Sequence, residues 1–124
     1  MKRLKSKILI VEDDPLLREL YQLKLAEEGF AVFTAQNGEE GFAIAAREVP
    51  ELILLDIMMP KVDGYEMLKK VKHDSRTNKI PVIIFSNLSQ REEIEKGLRL
   101  GADDFIVKTS LTPLQLAARV RQYF

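Results

Sequence analysis

Five times along the chain, a short and nearly unbroken apolar run is followed by a longer segment whose apolar residues return at helical spacing. The runs are KILIV (7–11), AVFTA (31–35), LILL (52–55), PVIIF (81–85) and DFIV (104–107). They are too short for helices. Most are too continuous for a strand with one wet face, so they read as strands buried on both sides. AVFTA is more mixed and is assigned to a sheet edge. A strand that alternates with a helix in this way returns in the same direction each time. The alternation therefore implies a mainly parallel sheet, with helices on both faces joined by right-handed crossovers.

The residues between the runs fit the same reading. Asp14 before Pro15 is an N-cap with proline at the first helical position. Leu16, Leu20 and Leu23 follow at helical spacing as the apolar face, and Gly29 stops the helix. Asn37 caps a helix to about Arg47, with Phe42, Ala45 and Ala46 inward. Gly64 opens a helix to about Lys72, with Leu68 and Val71 buried. SQRE from Ser89 and TPLQ from Thr112 are capping boxes. The first of these helices ends at Gly101 and the second runs to the C-terminus. With no linker or low-complexity tract, residues 1–124 are expected to be one domain, without an output domain in this chain. The commonest five-stranded solution is the flavodoxin-like α/β order 2-1-3-4-5, doubly wound with five helices. Ligands in such sheets bind outside the carboxyl ends of the strands, where the order reverses between the first and third.

That edge is where the chemistry gathers. Glu12, Asp13 and Asp14 follow the first strand, Asp56 the third, Ser86 the fourth and Lys108 the fifth; the edge strand adds only Gln36. Taken singly, Asp56 reads as a solvated strand end, Lys108 as surface and Asp14 as a helix cap. Their joint placement along one sheet edge favours a site. At about 4 Å, two carboxylates repel by about 1 kcal/mol in water and about 4 kcal/mol at an effective dielectric near 20. Three together take up protons or bind a cation, and hard oxygen donors suit Mg²⁺. The formal charges of Glu12, Asp13, Asp56, Lys108 and Mg²⁺ sum to zero. The site can then accept a phosphoryl group, with Asp56 as carboxylate nucleophile.

Composition removes other classes. There is no cysteine, which excludes disulfides, thiolate metal sites and cysteine nucleophiles. Nineteen basic and 19 acidic residues cancel, so no general attraction to nucleic acid or anionic membrane is indicated. No apolar stretch approaches the roughly 20 residues of a membrane span. MKRLKSKILIVEDD reads as a basic start and a strand rather than a signal peptide, and a cytoplasmic location is expected by elimination. A Mg²⁺-dependent phosphohydrolase of the haloacid-dehalogenase type would carry a second aspartate where Met58 stands. A flavodoxin-like FMN protein would carry small hydroxyl residues where VEDDP stands. A constitutive scaffold would not need the intact cluster.

The motifs ILIVEDDP, LLDIMMPKVDGYE, PVIIFS and GADDFIVK, in this order and over nearly the whole chain, resemble the receiver domain of two-component response regulators. The resemblance implies that Asp56 is the phosphoacceptor. It implies Asp13 and Asp56 as Mg²⁺ ligands, Met58 through its backbone carbonyl and Glu12 through water. Ser86 would be the switch hydroxyl, Lys108 the salt bridge to the phosphoryl group, and Phe105 the switch aromatic that turns inward on activation. From the residues alone, Phe105 is a plain core or surface aromatic. The implied donor is a histidine kinase or phosphotransfer protein. The implied receiver of the signal is a downstream protein or an output domain outside this chain, reached through the fourth helix, fifth strand and fifth helix. A phosphorylation-dependent dimer belongs to the same picture. The domain would catalyse only its own phosphorylation and dephosphorylation.

Four positions depart from the family pattern. Thr109 stands where a proline, commonly after a cis bond, follows the lysine. That leaves both isomers open, with cis costing about 2.5–4 kcal/mol before a non-proline residue. Asn87 stands where a small residue follows the switch hydroxyl. Met58 and Leu88 stand where many relatives carry polar side chains beside the phosphoryl group, and neither orients water.

Overall fold

The computed structural model describes residues 5–58, 64–87 and 91–124. Strands β1 (Lys7–Val11), β2 (Ala31–Ala35), β3 (Leu52–Leu55), β4 (Val82–Ser86) and β5 (Asp104–Val107) form one parallel sheet in the order β2-β1-β3-β4-β5. They alternate with helices α1 (Pro15–Glu27), α2 (Gly38–Glu48), α3 (Gly64–His73), α4 (Arg91–Arg99) and α5 (Pro113–Arg121). A short 3₁₀ turn, Lys108–Ser110, precedes α5. Among the described residues no helix is long and apolar enough to cross a membrane.

The continuous runs are explained by two cores, one on each side of the sheet. Leu9, Val11, Ile53, Leu55, Val82 and Ile84 point to one side, where they meet Ile44 and Ala45 of α2 and Met67, Leu68 and Val71 of α3. Their neighbours Ile8, Ile10, Leu52, Leu54, Ile83 and Phe85 point to the other, against Tyr21 and Leu25 of α1 and Leu116, Ala117 and Val120 of α5. Side chains alternate along a strand, so only strands apolar at every position can serve both cores. β2, at the edge, is only partly buried over most of its length.

Several local expectations hold. Asp14 caps α1 with Pro15 at its start, and Asn37 caps α2. Thr112 and Gln115 close the capping box of α5. Gly29 and Gly101 take the positive φ that ends α1 and α4, 96° and 108°. Ser89 of the other capping box, and Leu88 before it, lie outside the described residues.

Others need correction. The stripe Leu16, Leu20 and Leu23 does not face the core; these side chains are 78%, 46% and 56% exposed. The buried stripe of α1 is Leu17, Tyr21 and Leu25. It places a larger aromatic surface inside, where Tyr21 meets Phe85 edge-on at 5.1 Å. In α2, Ile44 and Ala45 are the deep residues, while Phe42 and Ala46 are half-buried. β4 begins one position after Pro81, which has no N–H to give, and it runs on to Ser86, which pairs with β5 in register with Val107. α5 stops at Arg121; the amides of Gln122, Tyr123 and Phe124 bond three residues back, in a tightened last turn.

Candidate functional site

Backbone pairing places two carboxylates side by side. The Asp56 amide donates to the Val11 carbonyl at 3.0 Å, and the Glu12 amide donates to Ala35 at 3.0 Å. These bonds extend the sheet one residue beyond β1 and β3, and hold Glu12 and Asp56 at the strand ends flanking the reversal of strand order. Gly64, at the start of α3, presses on the same segment. A Cβ there would lie 2.6 Å from the Asp56 carbonyl oxygen and 2.3 Å from Ile57 Cα, so only glycine allows the approach.

Lys108 reaches this pair from beyond β5. Its Nζ lies 2.9 Å from Asp56 Oδ2 and also donates to Glu12 Oε1. All three side chains are buried. No described peptide bond is cis, so Lys108–Thr109 is trans, and the lysine reaches the carboxylates through a 3₁₀ turn. The Met58 amide donates to Asp56 Oδ1 at 3.0 Å. Met58 itself is 54% exposed.

One carboxylate oxygen each from Glu12, Asp13 and Asp56 lie within 4.8 Å of one another. Burial raises the carboxyl of Glu12 to a pKa of about 7; the neighbouring Asp56 adds to the rise and Lys108 opposes it. Burial also pushes Asp56 upward, but the neighbouring Glu12 carboxyl and hydrogen bonds from the Met58 amide and Lys108 outweigh it and leave that pKa below its ordinary value. For Lys108, burial favours the neutral amine, yet the two carboxylates hold its pKa above the ordinary value. Glu12 Oε2 is buried with no hydrogen-bond partner. An orphaned carboxylate oxygen beside two further hard donors fits a cation such as Mg²⁺. Asp14 is not in the cluster: its Oδ1 accepts from the Leu16 amide at 2.9 Å and the Leu17 amide at 3.3 Å, as a cap.

The other expected residues lie on one path away from the acids. Ser86 is buried at the end of β4, in register with Val107, which precedes Lys108. Phe105 is half-buried and in register with Ile84. It packs on the core beside Gly97 of α4, where a Cβ would sit 2.4 Å from Ile84 Cδ1 and 3.5 Å from Phe105 Cδ2. Asn87 is exposed beside Ser86.

Three residues at the site are not among the candidates that the sequence offers. Tyr21 and Phe85 line, with Ile10, Val11 and Leu54, a cavity of about 10 Å³ beneath Glu12, Asp56 and Lys108. The second apolar stripe of α1 is the signal that leads to Tyr21. Arg18 donates from Nη1 to the Glu12 carbonyl at 2.9 Å, and no spacing marks it.

Residues 8–121 match the family model of the response regulator receiver domain. The chain is 39% identical over 121 residues to a probable transcriptional regulator, ycf27, of Porphyra purpurea, covering 98% of this chain and 48% of that one. It is 40% identical over 116 residues to the response regulator PleD of Caulobacter vibrioides, covering 94% and 25%. The chain thus spans half or less of the length of these relatives. Among solved structures, the chemotaxis protein CheY4 of Vibrio cholerae superposes with a TM-score of 0.90 at 26% identity, over 98% of this chain and 100% of that one. The BeF3-activated N-terminal receiver domain of RstA from Klebsiella pneumoniae gives 0.86 at 32% identity, over 95% and 97%. Sheet order, acidic cluster, motif order and these matches agree: the chain belongs to the response regulator receiver domains of two-component signalling.

Proposed function

We propose that this domain is a phosphorylation-controlled switch that accepts a phosphoryl group on Asp56 and signals through α4, β5 and α5. The observation that carries the reading is the buried Lys108 ammonium bridging Glu12 and Asp56 at the strand ends. Hydrogen bonds keep Asp56 ionised near neutral pH, which leaves a carboxylate oxygen able to attack phosphorus. With a histidine kinase or phosphotransfer protein as donor, an O–P bond forms at Asp56 and the P–N bond to the donor imidazole breaks. The imidazole takes up a proton as it leaves. Asp13, Asp56 and the Met58 backbone carbonyl would hold Mg²⁺, with Glu12 acting through water. The bound ion would neutralise charge on the phosphoryl oxygens. Lys108 contributes a second positive charge there. The domain promotes its own modification and turns over no other substrate.

The aspartyl phosphate adds about −1.5 to −2 charge. Lys108 then has a stronger partner than Glu12, and Ser86 has an acceptor at the end of β4. Both pull on β4 and β5 next to Phe105, which packs against α4 at Gly97. Asp104, at the start of β5, holds Arg119 at 2.7 Å and the Tyr123 hydroxyl at 3.2 Å, so β5 and the α5 region move together. A partner protein, a second copy of the domain or an output domain would read that face.

Incubation with acetyl phosphate and Mg²⁺, followed by intact mass, tests the site. One phosphoryl group is expected on the wild type. EDTA should suppress it and Asp56→Asn should abolish it. Equal labelling of Asp56→Asn would sink the assignment.

A further inference from the structure

The peptide between Glu12 and Asp13 lies in the gap where β1 has ended and α1 has not begun. Its carbonyl, the Asp13 amide and the Asp13 Cα share one plane, so fixing the carbonyl fixes where that Cα lies and leaves only the Asp13 φ and side-chain torsions to aim its carboxylate. Asp13 is exposed, unlike Glu12 and Asp56, and no burial aims it. The Glu12 amide is tied to β2 through Ala35. The Glu12 carbonyl is tied to α1 through the guanidinium of Arg18, at 2.9 Å.

Arg18 is well placed to be rigid. It lies in the first turn of α1, where its own amide donates to the Asp14 carbonyl at 2.9 Å. Its side chain is half-buried and faces a polar hollow of about 140 Å³ that Thr34, Ala35, Gln36 and Glu40 also line. The Glu40 carboxylate is the more usual kind of partner for an arginine, yet the hydrogen bond goes to the main-chain carbonyl beside the acidic cluster.

We infer that Arg18 is a positioning residue for the metal: it sets the Glu12–Asp13 peptide so that Asp13 meets the cation at the geometry Mg²⁺ demands. This rests on the acidic cluster holding Mg²⁺. Small octahedral ions tolerate misplaced ligands poorly, and groups that orient ligands typically change metal affinity by about 10- to 100-fold when removed. The sign separates positioning from charge. Arg18 puts a positive charge near three carboxylates, and simple electrostatics predicts that removing it tightens Mg²⁺ binding. Positioning predicts that removing it weakens binding.

The test is a Mg²⁺ titration of ¹⁵N-labelled full chain, followed by the amide shifts of Asp13 and Asp56, for the wild type, Arg18→Met and Arg18→Lys. The same spectra report whether each variant is folded. Arg18→Met should bind about ten-fold more weakly. Arg18→Lys, which keeps a donor, should recover part of the loss. The rate of labelling by acetyl phosphate should fall at limiting Mg²⁺ and return to the wild-type rate at saturation, because Asp56 itself is untouched. Unchanged or tighter binding in folded Arg18→Met overturns the inference. So does Arg18→Lys binding as weakly as Arg18→Met, or a labelling rate that stays low at saturating Mg²⁺. No saturable shift in the wild type would remove the metal reading itself, and the role of Arg18 with it.

Discussion

Glu12 and Asp56 sit on neighbouring strand ends and share Lys108, yet their pKa values move in opposite directions. Glu12 titrates near 4.5 in an unfolded chain and at about 7 in the fold. Between those values the folded state holds a proton that the unfolded state has lost, so stability falls as pH rises through that window. Below it there is no penalty, and above it the full cost applies, about 3 kcal/mol at roughly 1.4 kcal/mol per unit. Asp56 behaves oppositely. Its stabilisation is present above its unfolded value of 3.8 and is lost as pH falls through its lower folded value. The upper window thus belongs to Glu12. In EDTA, the thermal midpoint of the wild type should fall between pH 5 and pH 7.5 relative to that of Glu12→Gln, which keeps the shape without the charge. Parallel pH dependence of the two proteins would contradict this. Met58 supports a different expectation. Its amide is bonded to Asp56, and its thioether is exposed and too weak an acceptor to align water for attack on a phosphoryl group there. Leu88, outside the described residues, is equally apolar. The phosphorylated state should therefore decay slowly. Met58→Asn with Leu88→Glu should speed the loss about ten-fold, which is about 1.4 kcal/mol of barrier. Decay by intact mass at constant Mg²⁺, after removal of the donor, is the measurement. Wild-type loss within seconds, or no acceleration in the double variant, would rule out these positions as what sets the lifetime.

At the scale of elements, the exposed stripe of α1 makes the sharpest contrast. Leu20→Ser should leave stability within about 0.5 kcal/mol of the wild type, as for most exposed positions. Leu25→Ala should cost about 2–5 kcal/mol, because Leu25 is buried between α1 and the sheet. Urea unfolding of the two variants decides, and equal losses would contradict the observed face. Gly64→Ala is expected to cost more than helix propensity returns, because the new methyl meets backbone atoms of Asp56 and Ile57 rather than a side chain that can turn aside. It should also lower labelling of Asp56 by displacing that backbone. These cases show what was legible in the sequence. Strands could be read because burial on two faces leaves no position for a polar residue. Caps could be read because Asp14, Asn37 and Thr112 satisfy amides within a few residues of themselves. The buried side of α1 could not, because Leu16, Leu20 and Leu23 form as good a helical stripe as Leu17, Tyr21 and Leu25. Only the fit of Tyr21 against Phe85, 64 positions away in the chain, separates the two. Arg18 could not be read for a related reason: it acts on a backbone carbonyl, which leaves no mark in residue type.

At the scale of the molecule, the sheet order converts residues scattered from Glu12 to Lys108 into one charged site. β1 and β3 are adjacent, so Glu12 and Asp56 are neighbours, and Lys108 closes the site from β5. The positions of the acids were legible because strand ends were, and the order 2-1-3-4-5 did the rest. Without a cation, the fold carries the repulsion among these carboxylates, relieved in part by Lys108 and by the proton that Glu12 favours. A cation that binds only the folded state stabilises it by mass action. At free Mg²⁺ ten times its dissociation constant, the gain is about 1.4 kcal/mol. For a domain of this size, that raises the thermal midpoint by about 5 °C. Asp13→Ala should remove most of the rise, since it takes away the exposed carboxylate of the cluster while leaving the buried pair in place. It should also raise the metal-free midpoint, because one repelling charge is gone. The two effects have opposite signs in one variant, so a general loss of stability cannot imitate them. Thermal melts of the wild type and Asp13→Ala across a Mg²⁺ series, with an EDTA baseline, make the comparison. A rise of unchanged size in Asp13→Ala would place the metal away from Glu12, Asp13 and Asp56.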